Sequence, residues 1–159
     1  MHIDRYEKYW IYASIAVLVV FAVVVGFSSF AYGIQVPVPE QRVDPKLVAT
    51  PGATSFKEPG LYELAPNRFE AYIIGKLNWQ FEPNEITVPV GSRVTFYMTS
   101  NSVIHGFKLE GTNLNVMLIP GEISKLTATF DEPGTYNFIC HEYCGTLHHA
   151  MYGQVIVED

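Results

Sequence analysis

Charged residues are scarce in this chain, and basic residues are the scarcest of them. Asp, Glu, Lys and Arg make up 16% of the 159 residues, and ten Lys and Arg stand against sixteen Asp and Glu. With a sequence pI of about 5.3 and no basic patch, the chain lacks the positive surface that nucleic-acid binding requires. We therefore expect no nucleic-acid partner.

The predominantly apolar stretch from Tyr9 to Ile34 contains no charged residue. A helix of this length, at about 1.5 Å per residue, crosses a hydrocarbon core of about 30 Å. A cleaved signal peptide is the alternative, but its apolar region is usually only about 7 to 15 residues long. Arg5 and Lys8 flank the N-terminal side, and the next basic residue is Arg42, which favours a cytoplasmic N-terminus. We predict that residues 1–34 are a single transmembrane helix in the lipid of the cell (inner) membrane, with the rest of the chain extracytoplasmic.

Residues 35–66 contain six of the ten prolines and show little periodicity. Such a composition is typical of an extended stalk or a wrapped linker. It separates the predicted helix from a different kind of sequence that fills residues 67–159. We therefore predict one helix, one linker and one folded domain.

The domain consists of short runs of β-branched and aromatic residues separated by Gly, Pro and Asn. Alternation of apolar and polar residues within these runs puts one face of each strand inward. The pattern predicts an all-β sandwich of about seven or eight strands, with Met98 and Met117 in its core. The runs are FEAYIIGKL, EITVPV, RVTFYMTS, VIHGFKLEG, NLNVMLIP, ISKLTATF, TYNFIC and YGQVIVED.

Soft metal ligands are concentrated in one predicted loop, CHEYCGTLHHAM, which holds both cysteines, three of the five histidines and one of the four methionines. Cys140, Cys144, His148 and Met151 form a C-x3-C-x3-H-x2-M pattern. Thiolate, imidazole and thioether together are the donors that copper favours. A further ligand should come from elsewhere, and His105 is the one histidine of the predicted β domain outside this loop.

Other interpretations of the loop remain open at this stage. A disulfide between Cys140 and Cys144 would leave the histidine and the methionine unexplained. A zinc site would leave Met151 without a role, and a mononuclear blue copper site would leave Cys140 without one. His141 directly follows a ligand and His149 lies outside the spacing, so we expect neither to bind metal.

These residues resemble subunit II of the haem-copper cytochrome c oxidases. The resemblance includes the N-terminal helix and the segments VIHGF, LEGTNLNV, IPGE, EPGTYNFICHEYCGTLHHAM and YGQVIVED. A single helix is more similar to the B-type oxidases of thermophilic bacteria. The resemblance implies a cupredoxin-like Greek-key sandwich or barrel with a binuclear copper A centre of two copper ions. The copper A domain of nitrous oxide reductase has the same metal motif but belongs to a much larger chain.

The resemblance also implies a role for each site residue. Cys140 and Cys144 would bridge the coppers, His105 and His148 would each bind one of them, and the weak ligands would be Met151 and the backbone carbonyl of Glu142.

The chain would take electrons from cytochrome c and pass them to haems of a catalytic subunit I, which reduces oxygen to water and pumps protons. No catalytic site is expected in this chain itself. Trp79, in LNWQFEP, is the candidate first electron acceptor. Ser102 stands where the family often has an acidic residue, and the carboxylate of Glu142 would face a hard-metal site in some members.

Overall fold

The computed structural model describes residues 4–159, so the first three residues of the predicted 1–34 segment lie outside it. The chain divides into two compact units, residues 1–34 and 35–159. Helix α1 spans Arg5–Ala31 and is capped by Asp4, whose carboxylate accepts a hydrogen bond from the Tyr6 N–H at 2.8 Å. It is the one helix within residues 4–159 that is long and apolar enough to cross a membrane. The predicted apolar N-terminal helix is confirmed.

Residues 35–159 form a β-sandwich of two sheets. In the first sheet the strand order is β1-β9-β6-β3-β2, with β4 also paired to β3, and in the second it is β5-β11-β10-β7-β8. The pairs β3–β6 and β5–β11 are parallel, and the other pairs are antiparallel. The strands are β1 (Pro39–Arg42), β2 (Gly60–Ala65), β3 (Arg68–Lys76), β4 (Gln80–Glu82), β5 (Glu85–Pro89), β6 (Ser92–Ser100), β7 (His105–Leu109), β8 (Asn115–Leu118), β9 (Glu122–Phe130), β10 (Gly134–Ile139) and β11 (Tyr152–Glu158).

The predicted all-β class is confirmed, but the predicted strand number is wrong. All eight predicted runs overlap strands, whereas β1, β2 and β4 were not predicted. These three strands lie at the margins of the first sheet, where backbone pairing with a longer neighbour holds them. Strand β1 is exposed along its whole length, so it has no apolar alternation that sequence reasoning could detect.

The main core lies between the two sheets and is rich in aromatic residues. Phe107 and Phe138 stack with their ring centroids 4.8 Å apart, and Phe81 meets both rings edge-on. Met98 is fully buried, as predicted, but Met117 is 40% exposed, so its predicted core position is wrong. Alternation along β8 turns Val116 and Leu118 inward and Met117 outward.

A second, smaller cluster covers the outer face of the first sheet. Val48 and Phe56, from the proline-rich segment, are buried with Tyr72 and Ile74 of β3. Gln35 also binds β9 through its side-chain amide, which donates to the Thr127 carbonyl at 2.6 Å and accepts from the Thr127 N–H at 3.0 Å. Of the two forms left open for residues 35–66, the structure has the wrapped one.

Candidate metal centre

The ligand-rich loop joins β10 to β11 at one end of the second sheet. Its base is closed by a backbone hydrogen bond from the Cys140 N–H to the Met151 carbonyl at 3.1 Å. A single 3₁₀ turn, His148–Ala150, precedes Met151. Its backbone hydrogen bonds include one from the His148 N–H to the Gly145 carbonyl at 3.1 Å. The loop therefore has a fixed backbone that holds its side chains in place.

The two cysteines form the middle of the site. Both are free and buried, each only 7% exposed, and their Sγ atoms lie 3.8 Å apart. The disulfide considered from the sequence is not formed. The Cys140 thiol also donates to the Glu142 carbonyl at 3.2 Å, which places that oxygen beside the sulfur pair.

His105 approaches the sulfur pair from the other strand neighbouring β10. It begins β7 and is fully buried, with its Nδ1 4.0 Å from the Cys140 Sγ. Its other ring nitrogen, Nε2, lies 3.5 Å from the hydroxyl of Ser102. Ser102 is therefore placed to be the hydrogen-bond partner of this nitrogen, which points away from the thiols. The two ring nitrogens thus face different partners, and Nδ1 is the one directed at the thiols.

His148 and Met151 lie on the Cys144 side of the pair. The Cys144 Sγ is 3.5 Å from the His148 Nδ1 and 3.7 Å from the Met151 Sδ. Met151 is 2% exposed, whereas His149 is exposed. All the side chains of the predicted ligand pattern therefore converge on the two thiols.

The donor separations fit metal ions bound between the donors. A metal is about 2.3 Å from a thiolate sulfur and about 2.0 to 2.1 Å from an imidazole nitrogen. One ion can therefore touch two sulfurs less than about 4.6 Å apart, or a sulfur and a nitrogen less than about 4.3 Å apart. The observed separations, 3.8 Å for the thiols and 4.0 Å and 3.5 Å for the two thiol–imidazole pairs, lie within these limits. The donor atoms of His105, Cys140 and Cys144 all lie within 4.8 Å of one another.

Burial of the site favours neutral donors. Burial, the hydrogen bond with Cys140 and the charge of Cys140 raise the pKa of the Cys144 thiol to about 11. Burial, followed by the charge of His148, lowers the pKa of His105. A cation between the thiols would reverse the preference for the protonated thiol, because metals bind the thiolate form. Metal binding at this site therefore displaces protons.

Trp79 contacts the loop from the first sheet. It lies between β3 and β4, and its indole Nε1 donates a hydrogen bond to the Cys144 carbonyl at 3.2 Å. A side chain at Gly145 would place its Cβ 2.7 Å from this nitrogen. The residue selected from the sequence as a candidate electron acceptor is thus in direct contact with a thiol-bearing residue.

Two glycines that no metal-binding motif indicates make room for the rings around the site. A Cβ at Gly75 would lie 2.7 Å from the Cδ2 of His105, and a Cβ at Gly106 would lie 2.5 Å from the Nδ1 of His141. Both glycines interrupt apolar strand runs, in IIGKL and IHGF. An isolated glycine within a strand is a known signal for a close approach, so this feature was available in the sequence.

Free, buried thiols with imidazole and thioether donors, at the end of a β-sandwich, form the donor set that copper sites of electron-transfer proteins use. The periplasmic-domain profile of cytochrome c oxidase subunit II matches residues 66–158. Cytochrome c oxidase subunit 2 of Thermus thermophilus is 36% identical over 156 residues, which cover 97% of this chain and 92% of that protein. The chain belongs to the family of cytochrome c oxidase subunit II.

Solved structures agree with this assignment. A chain of a haem-copper terminal oxidase dimer, determined by cryo-electron microscopy, is 33% identical with a TM-score of 0.78 and covers 97% of this chain and all of that one. The periplasmic domain of subunit II of cytochrome oxidase from Bradyrhizobium japonicum is 24% identical with a TM-score of 0.52, covers 57% of this chain and 84% of that one, and supports the fold alone.

The predicted cupredoxin-like fold is confirmed. The chain is a membrane subunit of a haem-copper oxidase, an oxidoreductase complex, and its partner there is the catalytic subunit. The family implies copper at the thiol cluster.

Proposed function

We propose that this chain transfers electrons through a binuclear copper centre held by His105, Cys140, Cys144, His148, Met151 and the Glu142 carbonyl. The arrangement of the donors in two groups carries the proposal. His105 and the Glu142 carbonyl lie beside Cys140, whereas His148 and Met151 lie beside Cys144. Each thiol thus has its own neighbouring donors and lies close to the other thiol, as two ions sharing both sulfurs would require.

The chain's own residues fix the geometry and the surroundings of such a centre. The two thiolates would be shared ligands of the ions, and the imidazoles of His105 and His148, which lie beside Cys140 and Cys144 respectively, would each supply a further ligand. Bound at these residues, copper supplies one-electron redox chemistry. Burial of the thiols and of His105 excludes water, and the hydrogen-bonded loop limits movement of the ligands during electron transfer.

We further propose that a cytochrome c donates the electrons and that the haems of the catalytic subunit accept them, for reduction of oxygen to water with proton pumping. After the predicted helix, fourteen Asp and Glu stand against eight Lys and Arg, since two of each sign precede Tyr9. This excess of acidic residues suits a basic or neutral electron donor. Surface charge of this kind raises the rate of encounter with the donor more than it raises the affinity. Tyr143 and Leu147, which flank the ligands, are 81% and 45% exposed and offer the donor an apolar contact.

Trp79 is the proposed first acceptor within the chain. Its indole hydrogen-bonds the Cys144 carbonyl and is partly exposed, so it connects the surface with a thiolate-bearing residue. The helix α1 is the proposed single membrane span, with the N-terminus in the cytoplasm and the copper domain outside it, because Arg5 and Lys8 precede the apolar stretch. On this proposal α1 lies in the membrane lipid.

The experiment that tests the proposed function is a copper titration of the full chain, purified in detergent with its thiols reduced and air excluded. We expect two coppers per chain, with both thiols protected from alkylation once copper is bound. One copper per chain, with one thiol still reactive, would contradict the binuclear proposal and select a mononuclear blue copper carrier, the alternative function for a membrane-tethered chain with one cysteine ligand.

A further inference from the structure

His141 lies between two proposed ligands, Cys140 and Glu142, but its ring is directed at a different strand. The three atoms closest to a Cβ built at Gly106 all belong to the His141 ring, at 2.5, 2.6 and 2.7 Å. Gly106 is buried and directly follows His105 on β7. The imidazole of His141 therefore fills the space that a side chain beside His105 would otherwise occupy.

The register of the second sheet explains this contact. Strand β10 pairs with β7 through Phe138–Leu109 and Ile139–Lys108, and the pairing ends there. Continued by two residues, the same antiparallel register brings His141 opposite Gly106. A ring that folds over a cross-strand glycine compensates for the missing side chain and stabilises the pair. The His141 ring thus extends the contact between β10 and β7 beyond the end of their backbone pairing.

This contact joins the two segments that carry the proposed ligands. His105 comes from β7, whereas the cysteines come from the loop after β10, and their separation depends on how that loop meets β7. The Nδ1 of His141 also lies 3.7 Å from the Glu142 carboxylate, so the ring is close to the loop as well as to β7. We propose that His141 is a positioning residue, which fixes the distance between His105 and the Cys140–Cys144 pair by its contact with Gly106. This inference rests on the proposed copper centre.

The test is a double-mutant cycle of Gly106→Ala and His141→Ala in the full chain in detergent. Gly106 is not among the glycines with positive φ, and the three atoms nearest to an added Cβ all belong to the His141 ring, so this ring is the main obstacle to an alanine there. We expect Gly106→Ala to increase the rate of copper loss to a chelator about 10- to 100-fold, the usual effect of changing an outer-shell partner. It should also alter the copper hyperfine splitting of the chains that retain two ions.

In the His141→Ala background, Gly106→Ala should increase the rate of copper loss to the chelator by less than about twofold, because the clashing ring is gone. The matched control is His149→Ala, which removes an exposed histidine of the same loop and should leave copper retention unchanged. If Gly106→Ala alone does not fold, restored folding in the double variant supports the inference. Failure of the double variant to fold contradicts it.

A second readout uses the copper-free chain, so the inference can fail separately from the proposed function. Gly106→Ala should displace the loop and so speed alkylation of the buried thiols. In the His141→Ala background, Gly106→Ala should leave the alkylation rate unchanged. An equal effect of Gly106→Ala in both backgrounds would overturn the role of His141 and leave the copper centre intact. Failure of the parent chain to bind two coppers would overturn the proposed function, while the alkylation rates would still decide the inference.

Discussion

The indole Nε1 of Trp79 donates a hydrogen bond to the main-chain carbonyl of Cys144 at 3.2 Å. This bond connects the first sheet with the ligand loop of the second. It requires a glycine at position 145, because a Cβ there would lie 2.7 Å from the indole nitrogen. Trp79 itself has a φ of 57°, an uncommon backbone conformation for a bulky residue, which the surrounding contacts maintain.

Two replacements of Trp79 separate the contribution of its hydrogen bond from that of its aromatic ring. Trp79→Phe keeps an aromatic ring but loses the N–H, so the free energy of unfolding should fall by about 1 kcal/mol. Trp79→Leu removes the aromatic ring as well. We expect both variants to retain copper and Trp79→Leu to slow electron uptake from reduced cytochrome c more than Trp79→Phe, as measured by stopped-flow absorption. Equal uptake rates in Trp79→Leu and the parent chain would exclude Trp79 as the first acceptor.

Exchange of neighbouring histidines tests the ligand assignment in the loop. His148→Ala removes a donor whose Nδ1 is 3.5 Å from the Cys144 Sγ, and we expect copper affinity to fall by more than about tenfold. His149→Ala is the matched control, because His149 is exposed and lies outside the spacing pattern. The copper absorption spectrum should change in the first variant and persist in the second. The opposite result would reassign the ligand to His149.

The wrapped segment contributes a pH-dependent contact through Lys57. Its ammonium is 2.7 Å from the Glu70 carboxylate of β3, and this hydrogen bond lowers the pKa of Glu70 below its ordinary value of 4.5. The contribution is therefore present above pH 4.5 and is lost as the pH falls through the lowered pKa. Because Lys57 is 46% exposed, we expect Glu70→Gln to cost less than about 1 kcal/mol at pH 7.

Urea unfolding at several pH values measures this contact. The difference in unfolding free energy between the parent chain and Glu70→Gln should shrink to nothing in acid. Lys57→Met should have an effect that is not additive with that of Glu70→Gln, since the two residues form one pair. Two results would contradict a stabilising Lys57–Glu70 ion pair. One is additive effects of the two substitutions, and the other is a difference in unfolding free energy between the parent chain and Glu70→Gln that persists in acid.

The sequence predicted the long strands and the ligand loop because each depends on local pattern. Strands such as β6 and β9 alternate apolar and polar residues, so their inner face can be identified without the structure. The concentration of donors in residues 140–151 is likewise a local property. Convergence of His105 on this loop was inferable only because it is the one other histidine of the domain.

Features that depend on contact between distant segments could not be predicted in the same way. The wrapping of Phe56 and Val48 onto β3 depends on a buried outer sheet face, which a proline-rich sequence does not indicate. The exposure of Met117 follows from the phase of a four-residue strand, too short to define an alternation. The contact of His141 with Gly106 depends on the register between β10 and β7, and register is a property of the assembled sheet.

We propose that Cys140 and Cys144 both bind the same two coppers, and electron spin resonance of the copper-loaded full chain is the sharpest test of this sharing. In the parent chain we expect one unpaired electron shared over two copper nuclei, seen as hyperfine splitting by both. We also expect loss of that shared signal in Cys140→Ser, because one bridging sulfur is gone. Splitting by a single nucleus in the parent chain, unchanged in Cys140→Ser, would contradict a shared binuclear centre.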